Sequence, residues 1–576
     1  MKKQKSTERT GDGNTFFVRA GSWIVVHWQE IVLFVLSVAA VTAVNFFSVA
    51  MNQTVAAFRI TDFEVGQIAD RTIVAHKTLH ADIEHPVTVI DGEKVIRKGF
   101  PITEEQFAKL RKMTESPAYF DSRSFADSEL FLLVLAVLWL LLIVYVPYGR
   151  PIQIREIILQ VVFFLLLYGA AAFGTKVEVF TSPFLVLVII PTALCAFLIT
   201  ILYGQLPAIL FSFISALGVF NAIFWEPVPF LFTLCSSLSA VWIVRKIERR
   251  IDLVVAALVM ALLNGTFVIL LDVIFNHGFS RIALSIGGVA CNGFLSGILT
   301  LGLLTPLELL LNTASVFRLM DLSDLNVPIM RKMLVMAGGT YNHSLMVAQL
   351  AEGACREIGA NPLIARVGGY YHDIGKIDQS EYFVENQSQM GGINKHQDIN
   401  PSLSVSIIKS HVKKGVEMGH QLRLPQPIID IIAEHHGNSV ITYFYTEMKK
   451  KDPSVRPEDF SYPGIPPTTR ESGIVMLADT VESACHTLDN PTAVRLEKFI
   501  QTLIDGKIEH NQMDNSALTY SDVAKAKAAF VQILTGYYHN RIKYQDQKDP
   551  DDIATAETTG ADQRQETGAA QDTVDG

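Results

Sequence analysis

The chain has only five cysteines in 576 residues, no Cys-x-x-Cys pair, and no cysteine between residues 52 and 128. It therefore lacks the material for a disulfide framework or a structural zinc site. Cys195, Cys235, Cys291, Cys355 and Cys485 read as small buried side chains. Charge is also sparse: 18% of residues are charged, and the formal net charge of −9 gives no basic face for a nucleic-acid polymer. A phosphate-cradling glycine loop is missing, since Gly338-Gly339 and Gly368-Gly369 read as helix-end glycines. The apolar stretches hold polar groups such as Asn264, Asp272 and Asn292, but not the midplane charges a transporter needs. Asp272 falls near the outer end of its stretch, where solvation is expected.

Apolar residues are abundant, at 49% of the chain with a mean hydropathy of +0.30. They are concentrated in 31–312, while 313–576 resembles an ordinary soluble domain. Spanning a bilayer takes roughly 20 apolar residues in a helix. Eight stretches qualify: Ile31–Met51, Leu130–Val146, Ile157–Gly174, Phe180–Thr200, Leu202–Phe224, Pro229–Val244, Leu253–Phe275 and Ile282–Leu311, the last with room for a kink or turn at Thr305-Pro306. Cationic clusters set the direction. Lys2, Lys3, Lys5, Arg9 and Arg19 hold the N-terminal segment in the cytoplasm, and Arg150, Arg155, Arg245, Lys246, Arg249 and Arg250 then also fall inside. The cation-poor loops at Lys176, Trp225 and Asn276-His277 fall outside. This topology predicts a multi-pass membrane protein whose C-terminal half is cytoplasmic. Ser48-Val49-Ala50 leaves open a cleaved first span, with the same final orientation.

The expected organisation is mostly α. It comprises a cytoplasmic segment 1–30, a first transmembrane helix 31–51, a small α+β extracytoplasmic module 52–128, and a seven-transmembrane block 129–312. An all-α domain 313–545 and a disordered tail 546–576 follow. In the module, Asp91-Gly92 between Val87–Ile90 and Lys94–Arg97 predicts a hairpin, and Thr103–Gln106 predicts a capping box. His76, His80 and His85 are scattered among polar residues and read as surface histidines.

Seven metal-competent side chains stand out in the all-α domain: His343, His372, Asp373, His411, His435, His436 and Asp479. His343 is expected to open a helix. His372-Asp373 should close a helix that begins at Asn361-Pro362 and stops at Gly375. His411 continues a buried stripe through Leu403 and Ile407. His435-His436 end a helix begun at Pro427, and Asp479 lies in the apolar run Gly473–Ala484. Polar doublets at the ends of apolar helices are costly unless something pairs with them, and a metal would serve. Imidazole plus carboxylate without thiolate suits manganese or iron. His420, His486, His510 and His539 are isolated and peripheral, and Lys449-Lys450-Lys451 reads as a solvated loop that could steer an anion.

His343…His372-Asp373…Asp479 resembles the H…HD…D signature of HD phosphohydrolases, most specifically in Tyr370–Lys376. With Gly339–Leu345, Asn361-Pro362-Leu363, Glu434–Gly437, Tyr462-Pro463-Gly464 and the outer motif Gln67–Arg71, the chain is similar to the seven-transmembrane receptor HD family over nearly its whole length. It departs from that family in having a shorter outer segment, and in Asn342, where a second histidine often stands. The resemblance implies hydrolysis of cyclic di-AMP to linear pApA with two divalent ions. His343, His372, Asp373 and Asp479 would hold one ion, and His411, His435 and His436 the other, with Asp373 bridging. Asp373 and Lys376 are the implied catalytic residues, though Lys376 could equally be a plain surface lysine. Alternative readings are an HD phosphohydrolase for cyclic di-GMP, a linear dinucleotide or an alarmone, and a receptor that binds a nucleotide without cleaving it. The lipid bilayer, an unidentified extracytoplasmic ligand and a second copy of the chain complete the expected partners.

Overall fold

The computed structural model describes residues 28–47, 51–52, 60–75, 77–116, 119–120, 122–146, 152–180, 182–275, 281–387, 394–488 and 491–538. The basic N-terminal segment, Ser48-Val49-Ala50, His76, Arg150, Asn276-His277, His539 and the tail 546–576 lie outside the described residues. The chain divides into two compact units, Met1–Asp324 with Arg423–Gln426, and Leu325–Leu422 with Pro427–Gly576.

The first unit contains α1 (Trp28–Asn45), α2 (Glu104–Glu115), α3 (Ser122–Tyr145), α4 (Ile154–Gly174), α5 (Thr192–Tyr203), α6 (Gln205–Ala222), α7 (Pro227–Val244), α8 (Arg250–Phe275), α9 (Ile282–Leu311) and α10 (Val316–Leu322). Among the described residues, seven segments, from Phe125–Ile143 to Ile282–Leu311, are long and apolar enough to cross a membrane, and Ile31–Asn45 is a shorter apolar helix. The expected span Phe180–Thr200 is broken: a 3₁₀ turn at Val186–Val188 precedes α5, with Pro191 as its N-cap. Proline has no N–H to donate and biases Ile190 away from helix. The carbonyls freed by the break need partners, because no water reaches them in hydrocarbon. Asn292 supplies one, donating from Nδ2 to the carbonyls of Val188 (2.7 Å) and Ile190 (3.2 Å).

The α8–α9 pair is held by close backbone approach. A Cβ at Gly293 would lie 2.9 Å from the Met260 carbonyl oxygen, and one at Gly297 would lie 2.4 Å from the Ala257 Cβ. These glycines, one turn apart, follow the small-residue rule of membrane helix packing. α9 continues through Pro306 without the anticipated turn. Asp272 is not solvated but buried, at 3% exposure. Cys235 and Cys291 are exposed on apolar helices, unlike the other three cysteines, which are buried as expected.

Residues 60–116 build a small core from Phe63, Ala69, Val89, Val95, Ile102, Leu110 and Met113. The Asp91-Gly92 turn forms, with Gly92 at φ 79°, but its flanks do not pair as a hairpin. Lys94–Ile96 pairs antiparallel with Ile73–Val74, while Val89 bridges to Leu79. Taking separate partners lets Val89 and Val95 enter one core. The Thr103–Gln106 capping box forms as expected. His80 is exposed, and His85 is half-buried with its Nε2 2.6 Å from Glu115.

The second unit is helical around a core that includes Val347, Ala351, Ile431, Val475, Ala478 and Phe530. Its principal helices are α11 (Pro328–Met336), α12 (Gly338–Ile358), α13 (Pro362–Tyr371), α14 (Val384–Gln387), α15 (Pro401–Gln421), α16 (Gln426–Glu434), α17 (Thr442–Lys451), α18 (Arg470–Cys485), α19 (Ala493–Glu509) and α20 (Tyr520–Tyr538).

Replacing Asn292 with leucine removes the side-chain donor to the Val188 carbonyl, while the Ile190 carbonyl keeps the Thr192 N–H, at a cost of about 1–3 kcal/mol. The thermal midpoint of Asn292→Leu in detergent should therefore fall, while Leu295→Ala on the exposed face of the same helix should leave it unchanged. Equal midpoints for the two variants would contradict this role.

Candidate metal centre

Glycines let the site-bearing helices approach one another. A Cβ at Gly369 would sit 2.5 Å from the Ala348 Cα, bringing α13 onto α12, and one at Gly368 would sit 2.5 Å from the Ile431 Cδ1 on α16. A Cβ at Gly375 would lie 1.9 Å from the His411 carbonyl oxygen. Gly368-Gly369 is thus an inter-helix packing device and not a helix end. Gly375 lies inside a 3₁₀ segment, Ile374–Tyr382, and the helix before it already ends at Tyr371. His343 stands in the second turn of α12 instead of opening it. The buried face of α15 runs through Ser404, Val405, His411 and Val412, and Leu403 is exposed. Asn361 and Asn400 cap α13 and α15 as their sequence positions suggest.

All seven predicted side chains converge. The Asp373 carboxylate, 1% exposed, lies at their centre. Its Oδ2 is 3.3 Å from His372 Nε2 and 3.7 Å from His343 Nε2. Its Oδ1 is 3.3 Å from His411 Nε2 and 3.6 Å from His435 Nε2. Asp479 closes the ring, with Oδ1 3.2 Å from His343 Nε2 and Oδ2 3.7 Å from His436 Nδ1. Among the described residues, two groups are close enough to hold an ion: His343, His372 and Asp373, and Asp373, His411, His435 and His436.

The hydrogen bonds around the rings fix which nitrogen faces inward. His372, His411 and His435 each place Nδ1 on the carbonyl oxygen three residues earlier, Gly369 (2.8 Å), Ile408 (2.5 Å) and Ile432 (2.8 Å). A carbonyl only accepts, so Nδ1 carries the proton and the Nε2 lone pair points to the centre. His343 Nδ1 is paired with Glu482 in the same sense. His411 Nε2 and His435 Nε2 thereby face each other at 3.3 Å, as do His343 Nε2 and His372 Nε2. Facing lone pairs repel, and Asp373 Oδ1 is buried without a hydrogen-bond partner among the described residues. A cation between these atoms satisfies all of them, so the donor set fits divalent metal.

Electrostatics point the same way. Burial pushes His411 down to about 3, so its ring is neutral. Burial also opposes charge on Asp373, yet Lys376 and His372 outweigh it and hold the carboxyl well below its usual range. Hydrogen bonds to Asp479 and Glu482 likewise outweigh burial at His343, raising it to about 10. A proton there takes the place that a metal ion would fill.

Lys376 is no plain surface lysine. It is 12% exposed, 2.6 Å from Asp373 Oδ2 and 3.0 Å from Glu385. Three carboxylates were given no role in the sequence reading, although Glu434 stands in a motif named there. Glu385 holds Lys376 from the far side. Glu434 accepts from Thr468 N, Thr468 Oγ1 and Ser472 Oγ, tying the end of α16 to the start of α18, which carries Asp479. Glu482 follows Asp479 by one turn in the same apolar helix, and that placement was the signal available to find it. Lys449-Lys450-Lys451 is not a loop but the last turn of α17, where cations face the negative end of the helix dipole, and Lys450 pairs with Glu447 on its surface. His420 is exposed, as expected of a peripheral group.

These features define a multi-pass membrane protein joined to an HD-type domain. Residues 126–315 match the family described as 7TM receptor with intracellular HD hydrolase, and residues 340–484 match the HD domain. The chain belongs to the seven-transmembrane receptor HD family. It is 35% identical to the cyclic-di-AMP phosphodiesterase PgpH of Bacillus subtilis over 370 residues, which cover 62% of this chain and 51% of that protein. It is 30% identical to PgpH of Listeria monocytogenes over 476 residues, which cover 81% of this chain and 65% of that protein. The chain therefore spans between half and two thirds of these relatives. The solved HD domain of the Listeria monocytogenes protein in complex with cyclic-di-AMP aligns over 38% of this chain and 100% of its own length, with 40% identity and a TM-score of 0.36.

Glu482→Ala should weaken metal binding to the purified chain about 10–100-fold, the usual cost of losing such an orienting partner, with Glu482→Gln retaining more of it. Competition against a metal-sensitive dye would read this directly. Wild-type affinity in the alanine variant would remove Glu482 from the site.

Proposed function

We propose that the chain is a membrane-anchored phosphodiesterase that hydrolyses cyclic di-AMP to linear pApA. Two divalent ions, manganese or iron, would serve it, with the HD domain on the cytoplasmic face of a bacterial inner membrane. The observation that carries this reading is the Asp373 carboxylate, which turns one oxygen to each of two imidazole sets. One carboxylate shared in this way would serve as a ligand to both ions, and the nitrogen and oxygen donors would suit manganese or iron. His343, His372 and Asp479 would complete one site, and His411, His435 and His436 the other. Ions so held lower the pKa of a shared water and screen phosphoryl oxygens in an in-line displacement. The names of the relatives, both cyclic-di-AMP phosphodiesterases, support the choice of substrate.

The chain's own groups have definite tasks in this scheme. Lys376 keeps Asp373 ionised and presents positive charge toward the phosphodiester, and Glu385 prevents it from swinging away. Tyr462 stacks on the His436 ring with centroids 4.3 Å apart, holding that ligand in place. The cationic clusters read from the sequence support the orientation.

The test is turnover by the purified full chain after chelation and reloading with manganese or iron, across cyclic di-AMP, cyclic di-GMP, linear pApA and guanosine tetraphosphate. Cyclic di-AMP should give pApA only when metal is returned, and Asp373→Ala should abolish turnover with the helical content intact. Preferred cleavage of another nucleotide would reassign the substrate, and binding without product would make the domain a receptor.

A further inference from the structure

The chain leaving His436 is pinned to the C-terminal end of α19. Ser439 N–H donates to the His436 carbonyl at 3.1 Å, so the backbone turns back directly after that side chain. Gln512 holds the turn: its Nε2 donates to Asn438 Oδ1 at 2.6 Å, and its Oε1 accepts from Asn438 N at 3.4 Å. Tyr462 N–H donates to the Ser439 carbonyl at 3.0 Å, on the same residue whose ring stacks on His436. These contacts set Lys507, in the last turn of α19, against the turn, where its Nζ donates to Ser439 Oγ at 3.2 Å.

Lys507 differs from other lysines of this domain. Lys332, Lys376, Lys395, Lys450 and Lys527 each form an ion pair with a carboxylate. Lys507 forms none among the described residues, although it is half-buried. An ammonium carries three donors, and Ser439 takes one of them. Burial holds the group below the usual lysine range, and the charge of Asp479 offsets this only in part. A cation drawn from water without a counter-ion is costly, and an anion that arrives with a ligand removes the cost.

The position of Lys507 narrows which anion that is. Asp479 acts on it through space but forms no ion pair with it, so Lys507 stands at the edge of the metal centre and not within it. The phosphodiester over the ions already has Lys376. A second anion beside the first is what this cation fits. A cyclic dinucleotide supplies one, because its ring holds two phosphodiesters and only one of them lies over the ions when it is cleaved.

We infer that Lys507 binds the second phosphate of the cyclic dinucleotide, the one left intact, and so favours substrates with two phosphates over those with one. This assignment rests on the functional reading given above and adds a recognition residue outside the metal-competent set.

The test compares the purified, manganese-loaded full chain with its Lys507→Met and Lys507→Arg variants. The substrates are cyclic di-AMP and bis(p-nitrophenyl) phosphate, a diester with a single phosphate. Lys507→Met keeps the apolar stem and removes the charge. It should raise KM for cyclic di-AMP about 10–100-fold with kcat little changed, since the contact is the same in the bound substrate and the transition state. Lys507→Arg should stay near wild type, and the single-phosphate diester should not distinguish the three proteins. The thermal midpoint of Lys507→Met in detergent should not fall, because the charge removed has no carboxylate partner. Wild-type KM for cyclic di-AMP in Lys507→Met would overturn the assignment and leave the functional reading standing. A lowered midpoint with equal losses on both substrates would do the same, making Lys507 a prop for the Ser439 turn. Failure of the wild type to cleave cyclic di-AMP while it hydrolyses the single-phosphate diester would overturn the functional reading, and this assignment with it.

Discussion

The second unit depends on one buried charge. The Asp373 carboxylate sits among four imidazole nitrogens, with Lys376 at 2.6 Å as a cation of fixed sign. An ion of this kind, withdrawn from water, is tolerable only when its surroundings are arranged to face it. The arrangement is costly in shape. Glycines at 368, 369 and 375 give up side chains so that α12, α13, α15 and α16 come within reach. The backbone carbonyls of Gly369, Ile408 and Ile432 are each spent on fixing an imidazole tautomer. Glu434 pins α18 so that Asp479 arrives from the opposite side. Removing the central carboxylate leaves facing nitrogen lone pairs with nothing between them.

Much of this was legible in the sequence because the ligands occur as doublets at the ends of apolar helices, a pattern with few innocent causes. His372-Asp373 and His435-His436 announce themselves, and Asn361-Pro362 and Asn400-Pro401 mark helix starts by capping chemistry. What escaped shares one cause. Glu482, Glu434 and Glu385 act on other side chains across the fold, and their partners lie 139, 38 and 9 positions away. Pattern within a helix cannot supply such partners. The glycines were misread for the same reason: the backbone of a different helix requires them, and the helix they belong to does not. The hairpin at Asp91-Gly92 failed because local turn preference holds only one turn of chain, while burial of Val89 and Val95 decides the pairing.

In the membrane half, hydropathy gave the helices but not their interruptions. A break at Pro191 is tolerable because Asn292, a hundred residues away, satisfies the exposed carbonyls, so the two features require each other. Asp272, buried although it lies near the end of its helix, shows that distance from a span's end does not set the exposure of a carboxylate. In both units, polar groups taken from water, such as Asn292 and Glu434, meet partners supplied by distant stretches of chain.

The most direct measurement is anomalous diffraction at the manganese edge from crystals of the metal-loaded protein. Two peaks about 3.5–4 Å apart, one on each side of the Asp373 carboxylate, are the expected result. A single peak, or a pair that Asp373 does not bridge, would contradict the two-ion centre.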